Sequence, residues 1–571
     1  MTVPNRSISI QNGGNGVSVG SGVVRACVGV SSAGTINQVY SYTAPADVAT
    51  HGIGPLVDAA KLDLEQGGGT VLVVRAKDSV AGSITTATPN HVGDGTCTCT
   101  GTPNNRYRIA VEITTAGERG TGAFKYALDA GPDDTTEEKR NWSLPVAIPT
   151  GGAYTIPNTG LVLTFTNGTP VSFQLGDTFT FATTAPSFQL ADLQAALAAL
   201  KAYATRKLWV HVVGEITAAI AVGCDTWATS MQTDHKYLFL LLEAADLNPV
   251  GAVTASGTTP PTLTVTGLPE ESWDVSITVE TGGALGTMTF KYSLDGGNTY
   301  SAEITSTAVT GINPIEGTGM TFAFASAAYN ADNAYTFSTW DKETNRAVWD
   351  SGLRTAYVAF TSDRVAVCAG HGECALTDGS IVRTNIAWGV SPLLARISAS
   401  TDAGQVEDAG KLPGFMTLSH DEALHPGLDD AGFLTGRTWD NIAGLFINQP
   451  RIFAAAGSDY DLIQYRRVMD NACTALDAAL ARKVNKKVRV DSSTGHIDER
   501  DAQTLDRAFL TAVEDVTTVP GDASGVVCRT QRDENLLSTR LLSVDLEVVG
   551  VAYIKTLAAR IGYKNPALVP V

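Results

Sequence analysis

Residues 120–131 read GTGAFKYALDAG, and residues 286–297 read GTMTFKYSLDGG. Phe124, Lys125, Tyr126, Leu128, Asp129 and Gly131 match Phe290, Lys291, Tyr292, Leu294, Asp295 and Gly297. Working outward, residues 96–131 align without gaps on 262–297, a shift of 166, with fifteen of the thirty-six pairs identical. Self-similarity of that strength marks a duplicated unit. Tyr107, Ile109, Val111 and Ile113 alternate with polar residues, as do Trp273, Val275, Ile277 and Val279. A period of two means half-buried strands, and Asp295-Gly296-Gly297 is hairpin chemistry. Both copies close on aromatic pairs, Phe179 with Phe181 and Tyr335 with Phe337. The expectation is two small β-sandwich modules, 86–187 and 251–341.

Around these modules the period changes. Leu193, Leu197, Leu200 and Ala204 recur at helical spacing, followed by a strand from Leu208 to Val213, a helix over 217–232 and a strand from Tyr237 to Leu242. A helix over 343–357 then leads into a strand from Arg364 to Cys368. That alternation belongs to an α/β layer. The modules therefore read as insertions at its loops, where chain ends lie close on a surface. In the last third a long helix runs from Asp459 to Lys483, and the turn DSSTG precedes a second helix over 499–515. Leu542, Val544, Leu546 and Val548 then form one apolar face of a strand, before a short helix over 553–561. The expected fold is multidomain α+β and α/β. It comprises an N-terminal arm (1–25), an α/β core (26–85 with 188–250 and 342–427), the two modules, and an α/β C-terminal domain (428–571).

Length and composition agree. A chain of 571 residues, 44% hydrophobic and 17% charged, suggests a globular protein of three or four domains. A net charge of −18 argues against packing nucleic acid, which needs a basic face. Eight cysteines are too few for a disulfide scaffold. The first thirty residues lack a basic start followed by an apolar run, and the Tyr237–Leu242 stretch is too short to span a bilayer. We therefore expect a soluble chain made in a cytoplasm, with no membrane insertion. A surface adhesin built on the two modules would instead need a secretion signal.

Candidate chemistry is sparse. In SHDEALH, Ser419 to His425, the histidines are five apart and Pro426 follows, which is not the zinc-protease spacing. A polar loop is the expectation there. Cys368, His371 and Cys374 form CAGHGEC without the four ligands of a structural zinc site, so a strand end and loop are expected. Cys97 and Cys99 align with Leu263 and Val265, which puts them on the apolar face of a strand. Gly13-Gly14-Asn15-Gly16 lacks the ending of a phosphate loop, and no nucleophile elbow occurs. We expect no catalytic residue, cofactor or metal. Arg482, Lys483, Lys486, Lys487 and Arg489 form a basic cluster. It reads as a solvated helix end, or as a patch that meets acid on a neighbour or tube.

Three segments of the chain resemble the tail sheath family of contractile phages. VGVSSAGTINQVYSYTAPADVATHGIGPL, residues 28–56, is similar to the family's opening strand and short helix. Residues 429–472 resemble its strand–strand–helix pattern through Gly432, Phe433, Thr435, Arg437, Ser458, Asp459, Tyr460, Arg467 and Asp470. Tyr553 to Tyr563 resembles its ending. The resemblance implies a sheath-type core whose terminal strands are exchanged between subunits. It also implies stacked six-membered rings around a tail tube that contract without nucleotide. Implied partners are the chain itself, the tube, the baseplate and the tail terminator, in a virion tail assembled in a bacterial host's cytoplasm. A phage-derived bacteriocin or injection particle would use the same subunit. On this reading Ser7, Ile8, Ser9, Ile10, Val17 and Val19, with Leu542, Val544, Leu546 and Val548, are arm strands shared between subunits. Cys27 and Cys528 would lie near an exchanged arm, where an inter-subunit disulfide could staple the extended state.

Overall fold

The computed structural model describes residues 24–85, 88–129, 141–267, 269, 271–307, 312–315, 318–376, 378–559 and 562. The chain divides into two compact units, one of 1–398 with 403–466 and one of 399–402 with 467–571.

The first unit is built on a six-stranded sheet. Its spatial order is Val39–Tyr42, Thr70–Arg75, Val24–Gly29, Trp209–Ile216, Phe239–Ala244 and Val365–Cys368. All neighbours pair parallel except the Val39 edge strand. These strands read as continuous apolar runs because helices cover both faces. One face packs Val28, Val74, Val212, Leu242 and Val367 against α2 (Leu190–Ala202), α3 (Ala218–Thr233) and α4 (Glu343–Tyr357). The other packs Cys27, Val73, Trp209, Leu241 and Ala366 against α1 (Pro55–Gly67) and α5 (Ala387–Arg396). Local chemistry sets the helix ends. Pro55 opens α1, a Gln189–Asp192 capping box starts α2, and the Thr217 side chain accepts the Ile220 N–H at the start of α3. Leu193, Leu197 and Leu200 are buried along α2, each contributing roughly 1.5–3 kcal/mol of burial. No helix among the described residues is long and apolar enough to cross a membrane.

One buried polar network crosses this core. The Arg25 Nε donates to Asp63 Oδ1 at 2.8 Å, and its terminal nitrogen donates to the Asp63 carbonyl at 2.7 Å. Ser391 donates to Asp63 Oδ2 at 3.0 Å and accepts from the Trp209 indole at 2.9 Å. Asp63 thereby ties the central strand to α1 and α5.

Two groups of strands leave the carboxyl edge of the sheet. After Thr70–Arg75 the chain forms a three-stranded sheet (Thr96–Gly101, Leu161–Thr166, Ala153–Ile156) and a five-stranded one. After Phe239–Ala244 it does so again, with the same strand order. Arg108–Thr115 and Ala123–Ala127 correspond to Asp274–Thr281 and Thr289–Ser293, offset by the shift of 166 seen in the sequence. Even the bulge recurs, at Ile113/Thr115 and at Val279/Thr281. Each pair of sheets encloses its own apolar cluster, centred on Phe124 and Phe165 in one and on Phe290 and Phe322 in the other. Cys97 and Cys99 pack in the first cluster, opposite Phe165 and Leu163. The chain closes each excursion on itself. Val80 and Ser187 exchange backbone hydrogen bonds of 3.0 and 2.8 Å, while Gly251 donates to Ser338 at 2.9 Å and Trp340 to Pro249 at 2.9 Å.

In the second unit, α7 (Glu499–Glu514) packs on a two-stranded antiparallel sheet, Ala523–Thr530 with Val544–Gly550. The long helix expected over 459–483 is α6, Ile463–Ala481. The helix expected over 553–561 is corrected: residues 551–559 carry no regular structure, and Ile554 and Leu557 are 78% and 87% exposed. The segment is held instead through side chains, the Tyr553 hydroxyl donating to the Ser400 carbonyl and Lys555 to Asp402, and so short a stretch does not by itself recover the cost of helix nucleation.

Candidate functional site

The densest convergence of charged groups lies in the first unit at the carboxyl edge of the sheet. Gly214, at φ +123°, interrupts the register of its strand and brings Glu215 to the edge. Asp246 follows the end of Phe239–Ala244. His371, Glu373 and Arg383 stand on a hairpin, His371–Ala375 with Ile381–Asn385. Arg106 and Arg108 come from the first inserted group of strands, and Trp340 from the exit of the second.

Arg383 grips both oxygens of Asp246, at 2.8 and 2.9 Å, and Arg106 reaches Oδ2 at 3.1 Å. Burial alone would raise the Asp246 carboxyl, but the guanidinium groups of Arg383 and Arg106 hold it well below the carboxylate range. Burial, reinforced by Arg383 and Arg106, pushes the His371 imidazole down to about 3 despite Asp246, so it is neutral. Glu215 is exposed at the rim, 3.9 Å from Arg106. Arg108 and Arg383 both stack on Trp340, 4.8 and 5.2 Å from the ring centre. A cavity of about 360 Å³ adjoins the cluster, lined among others by Pro55, Asp58, Arg106, Glu215, His371 and Trp388. Glu215, Asp246 and His371 hold donor atoms within 4.8 Å of one another.

Asp58 faces the same cavity and accepts a 2.6 Å hydrogen bond from Asn105. Burial raises its carboxyl to about 6, with the Asn105 bond opposing. The folded protein therefore holds this proton more tightly than the unfolded chain. The stabilisation is full below the unfolded value of 3.8 and is lost as pH rises through about 6. Asp58→Asn is thus expected to raise stability at pH 7.5 by about 1–3 kcal/mol and to leave it unchanged at pH 3.5. Thermal melts of both proteins at the two pH values check this.

The structure separates the other residues singled out in the sequence. In CAGHGEC, Cys368 and Cys374 point into the apolar core while His371 faces the acids, so the three do not converge. Residues 371–375 are a strand, which corrects the loop expected there. The SHDEALH segment has no regular structure but is not a solvated loop. His420 is buried, its Nε2 lying 2.9 Å from Glu422 and its Nδ1 3.4 Å from Asp350. Arg482, Lys486 and Lys487 are exposed and Lys483 half-buried, just past α6. Arg489 is already engaged, 3.0 Å from Asp501 and 3.5 Å from Asp498. Ser7, Ile8, Ser9, Ile10, Val17 and Val19 lie outside the described residues. Leu542, Val544, Leu546 and Val548 are half-buried, and within the chain Leu546 stands opposite Cys528 and Val548 opposite Val526.

Cys27 and Cys528 both carry free thiols within the chain. Cys528 is 6% exposed. Cys27 is fully buried with its sulfur 3.7 Å from Asp63, so reaching a thiol of another subunit would require pulling its strand out of the sheet. Burial and Asp63 raise the Cys27 thiol well above its ordinary value. Iodoacetamide at pH 8 is expected to leave Cys27 unmodified in the native protein and to label it fully in urea, as peptide mass spectrometry would show.

Residues 4–259 match the family model described as DUF2586, N-terminal domain, and residues 459–568 match DUF2586, C-terminal domain. No curated protein sequence matches the chain. Among solved structures it is similar to a sheath tail protein from Listeria innocua, at 11% identity over 93% of this chain and 96% of that one, with a TM-score of 0.39. It is also similar to a sheath tail protein from Desulfitobacterium hafniense, at 11% identity over 96% and 100% of the two chains, TM-score 0.39. A third is the helical sheath of the anti-feeding prophage in its contracted state, at 10% identity over 98% and 99%, TM-score 0.43.

Proposed function

Carrying both domains of the DUF2586 family in order, the chain is, we propose, the structural subunit of a contractile tail sheath. It polymerises as stacked hexameric rings around a tube and contracts to drive the tube through a host envelope. It is not an enzyme. The observation that carries this reading is the ordered set of three sheath-like segments, 28–56, 429–472 and 553–563.

The second unit supports an assembling role. A two-stranded ribbon is marginal by itself, and its outer edges offer unpaired backbone groups. Leu537, Leu541, Val549, Ile554 and Leu557 are 56–87% exposed on this unit, apolar side chains that a partner strand could cover. Strands from the neighbouring subunits' arms, drawn from residues 7–10 and 17–23, would extend the ribbon by main-chain pairing and cover that surface; Val24 and Arg25, expected in the arm, belong instead to the central strand. Of the basic cluster, Arg482, Lys483, Lys486 and Lys487 would face acid on a neighbour or on the tube, Arg489 being engaged within the chain. The inserted modules, leaving by one edge of the sheet, would stand on the outside of the lattice.

Negative-stain imaging of the purified protein tests the reading. Hollow striated cylinders are expected, and a protein that stays monomeric under every assembly condition rejects it. Deleting 1–22 is expected to leave a folded monomer that forms no cylinder, whereas replacing 251–341 by a short linker preserves cylinders. Capsid and DNA in purified particles would mark a phage, and their absence a phage-derived injection particle.

A further inference from the structure

In the parallel part of the sheet the strand order, numbered along the chain, is 2-1-3-4-5, with the reversal between Val24–Gly29 and Trp209–Ile216. Open α/β sheets bind ligands beyond the carboxyl ends of their strands, beside that reversal. The 360 Å³ cavity occupies this place, touching Gly214 and Glu215 at the carboxyl end of the Trp209 strand. We propose that His371 and Glu215 bind a divalent transition-metal ion there, with Asp246 as the positioning carboxylate behind the imidazole. The proposal holds whether or not the chain builds a sheath.

The argument starts from the imidazole, which stands between two acids. Its Nδ1 is 3.5 Å from Asp246 Oδ1 and its Nε2 3.8 Å from Glu215 Oε1. Two guanidinium groups fix Asp246, so this carboxylate favours the tautomer with its proton on Nδ1. The Nε2 lone pair is then left facing Glu215. A carboxylate behind a histidine whose other nitrogen carries the metal is the recurrent support of such sites. The His371 side chain is 2% exposed, and its buried Nδ1 lacks a hydrogen-bond partner of ordinary length. Packing therefore holds the ring between the two carboxylates, with its Nε2 as well as its Nδ1 beyond ordinary hydrogen-bond length from them.

Charge favours a cation. Asp58, Glu215, Glu243 and Asp246 line or adjoin the cavity, against Arg106 and Arg383. Both guanidinium groups are spent chiefly on Asp246, and Arg106 is 3.9 Å from Glu215. Two tetrahedral ligands of one zinc ion stand roughly 3.3 Å apart. The 3.8 Å separation thus needs only a small shift of Glu215, whose side chain is 46% exposed. An imidazole with a carboxylate suits zinc or nickel better than magnesium or calcium. Water would complete the coordination.

The test is calorimetric titration of zinc chloride into the full-length protein after removal of metals by chelation, with magnesium chloride as the comparison. One zinc site in the micromolar range is expected, and none for magnesium. His371→Gln and Glu215→Gln should each abolish it, and Asp246→Asn should weaken it by about 10–100-fold while leaving the stoichiometry intact. Melting curves without metal verify that each variant is folded. Should His371→Gln fail to fold, the half-exposed Glu215→Gln decides alone. Unchanged zinc affinity in a folded Glu215→Gln variant overturns the proposal, as does a wild-type protein that binds no zinc below millimolar concentration.

Discussion

Asp63→Ala is expected to destabilise the first unit by about 3–5 kcal/mol, the usual cost of removing one partner of a buried ion pair. Arg25 is fully buried, and Asp63 supplies the acceptors of its Nε and of one terminal nitrogen. Its other terminal nitrogen has no hydrogen-bond partner, so alanine at 63 would leave a charge in an apolar interior with nothing but the main-chain carbonyl to neutralise it. Ser391 would lose its acceptor too, loosening its hold on Trp209. Urea unfolding followed by tryptophan fluorescence measures the loss. The double variant Arg25→Met, Asp63→Leu should recover most of it, because replacing a whole buried pair by apolar groups of similar volume is often close to neutral. A single variant within 1 kcal/mol of wild type would show that the pair is compensated elsewhere.

Phe290→Ala should have an effect of similar size but confined in space. Phe290 is fully buried, with its ring 4.8 Å from that of Phe324 and 6.5 Å from that of Phe322. Removing an aromatic ring from such a core costs about 3–5 kcal/mol. That is a large fraction of the stability of a domain this small. Because the strands over 254–338 enclose a cluster of their own, hydrogen exchange should accelerate across them while Trp209–Ile216 and Phe239–Ala244 stay protected. Loss of protection throughout the sheet would mean that the inserted strands and the core unfold as one.

What could be read from the sequence was whatever rested on local periodicity. The helix expected over 343–357 is α4, with the same bounds, because its apolar spacing and its polar start lie within fifteen residues. The shift of 166 reappears strand for strand, since a period of two fixes which side chains face inward. The charged cluster was illegible for the opposite reason. Arg106, Glu215, Asp246, His371 and Arg383 are brought together only by the sheet, and no short window contains more than a fragment of the set. CAGHGEC reads as a strand end followed by a loop, whereas 371–375 is itself a strand, whose backbone sends the thiols and the imidazole to different places. SHDEALH reads as a polar loop, and it has no regular structure, but its burial is not legible in the sequence. His420, Glu422 and Asp350 are buried together, a pairing that becomes visible only once α4 is packed beside that segment.

The backbone pairs at Val80–Ser187 and at Gly251–Ser338 have a kinetic meaning. Two pairs of neighbouring strands, Val24–Gly29 with Trp209–Ile216 and Phe239–Ala244 with Val365–Cys368, are separated by more than a hundred residues of intervening chain, and closing a loop of that length before it has structure is slow. If each group of strands folds first and draws its own stem together, the remaining connections, from Arg75 to Trp209 and from Ala244 to Val365, shorten to about thirty residues, which contain α2 in one case and α4 in the other. By the logarithmic dependence of closure entropy on loop length, that shortening is worth about 1–1.5 kcal/mol in each case. A growing polypeptide would then complete each excursion before the next core strand emerges, and the sheet would assemble as though the excursions were absent.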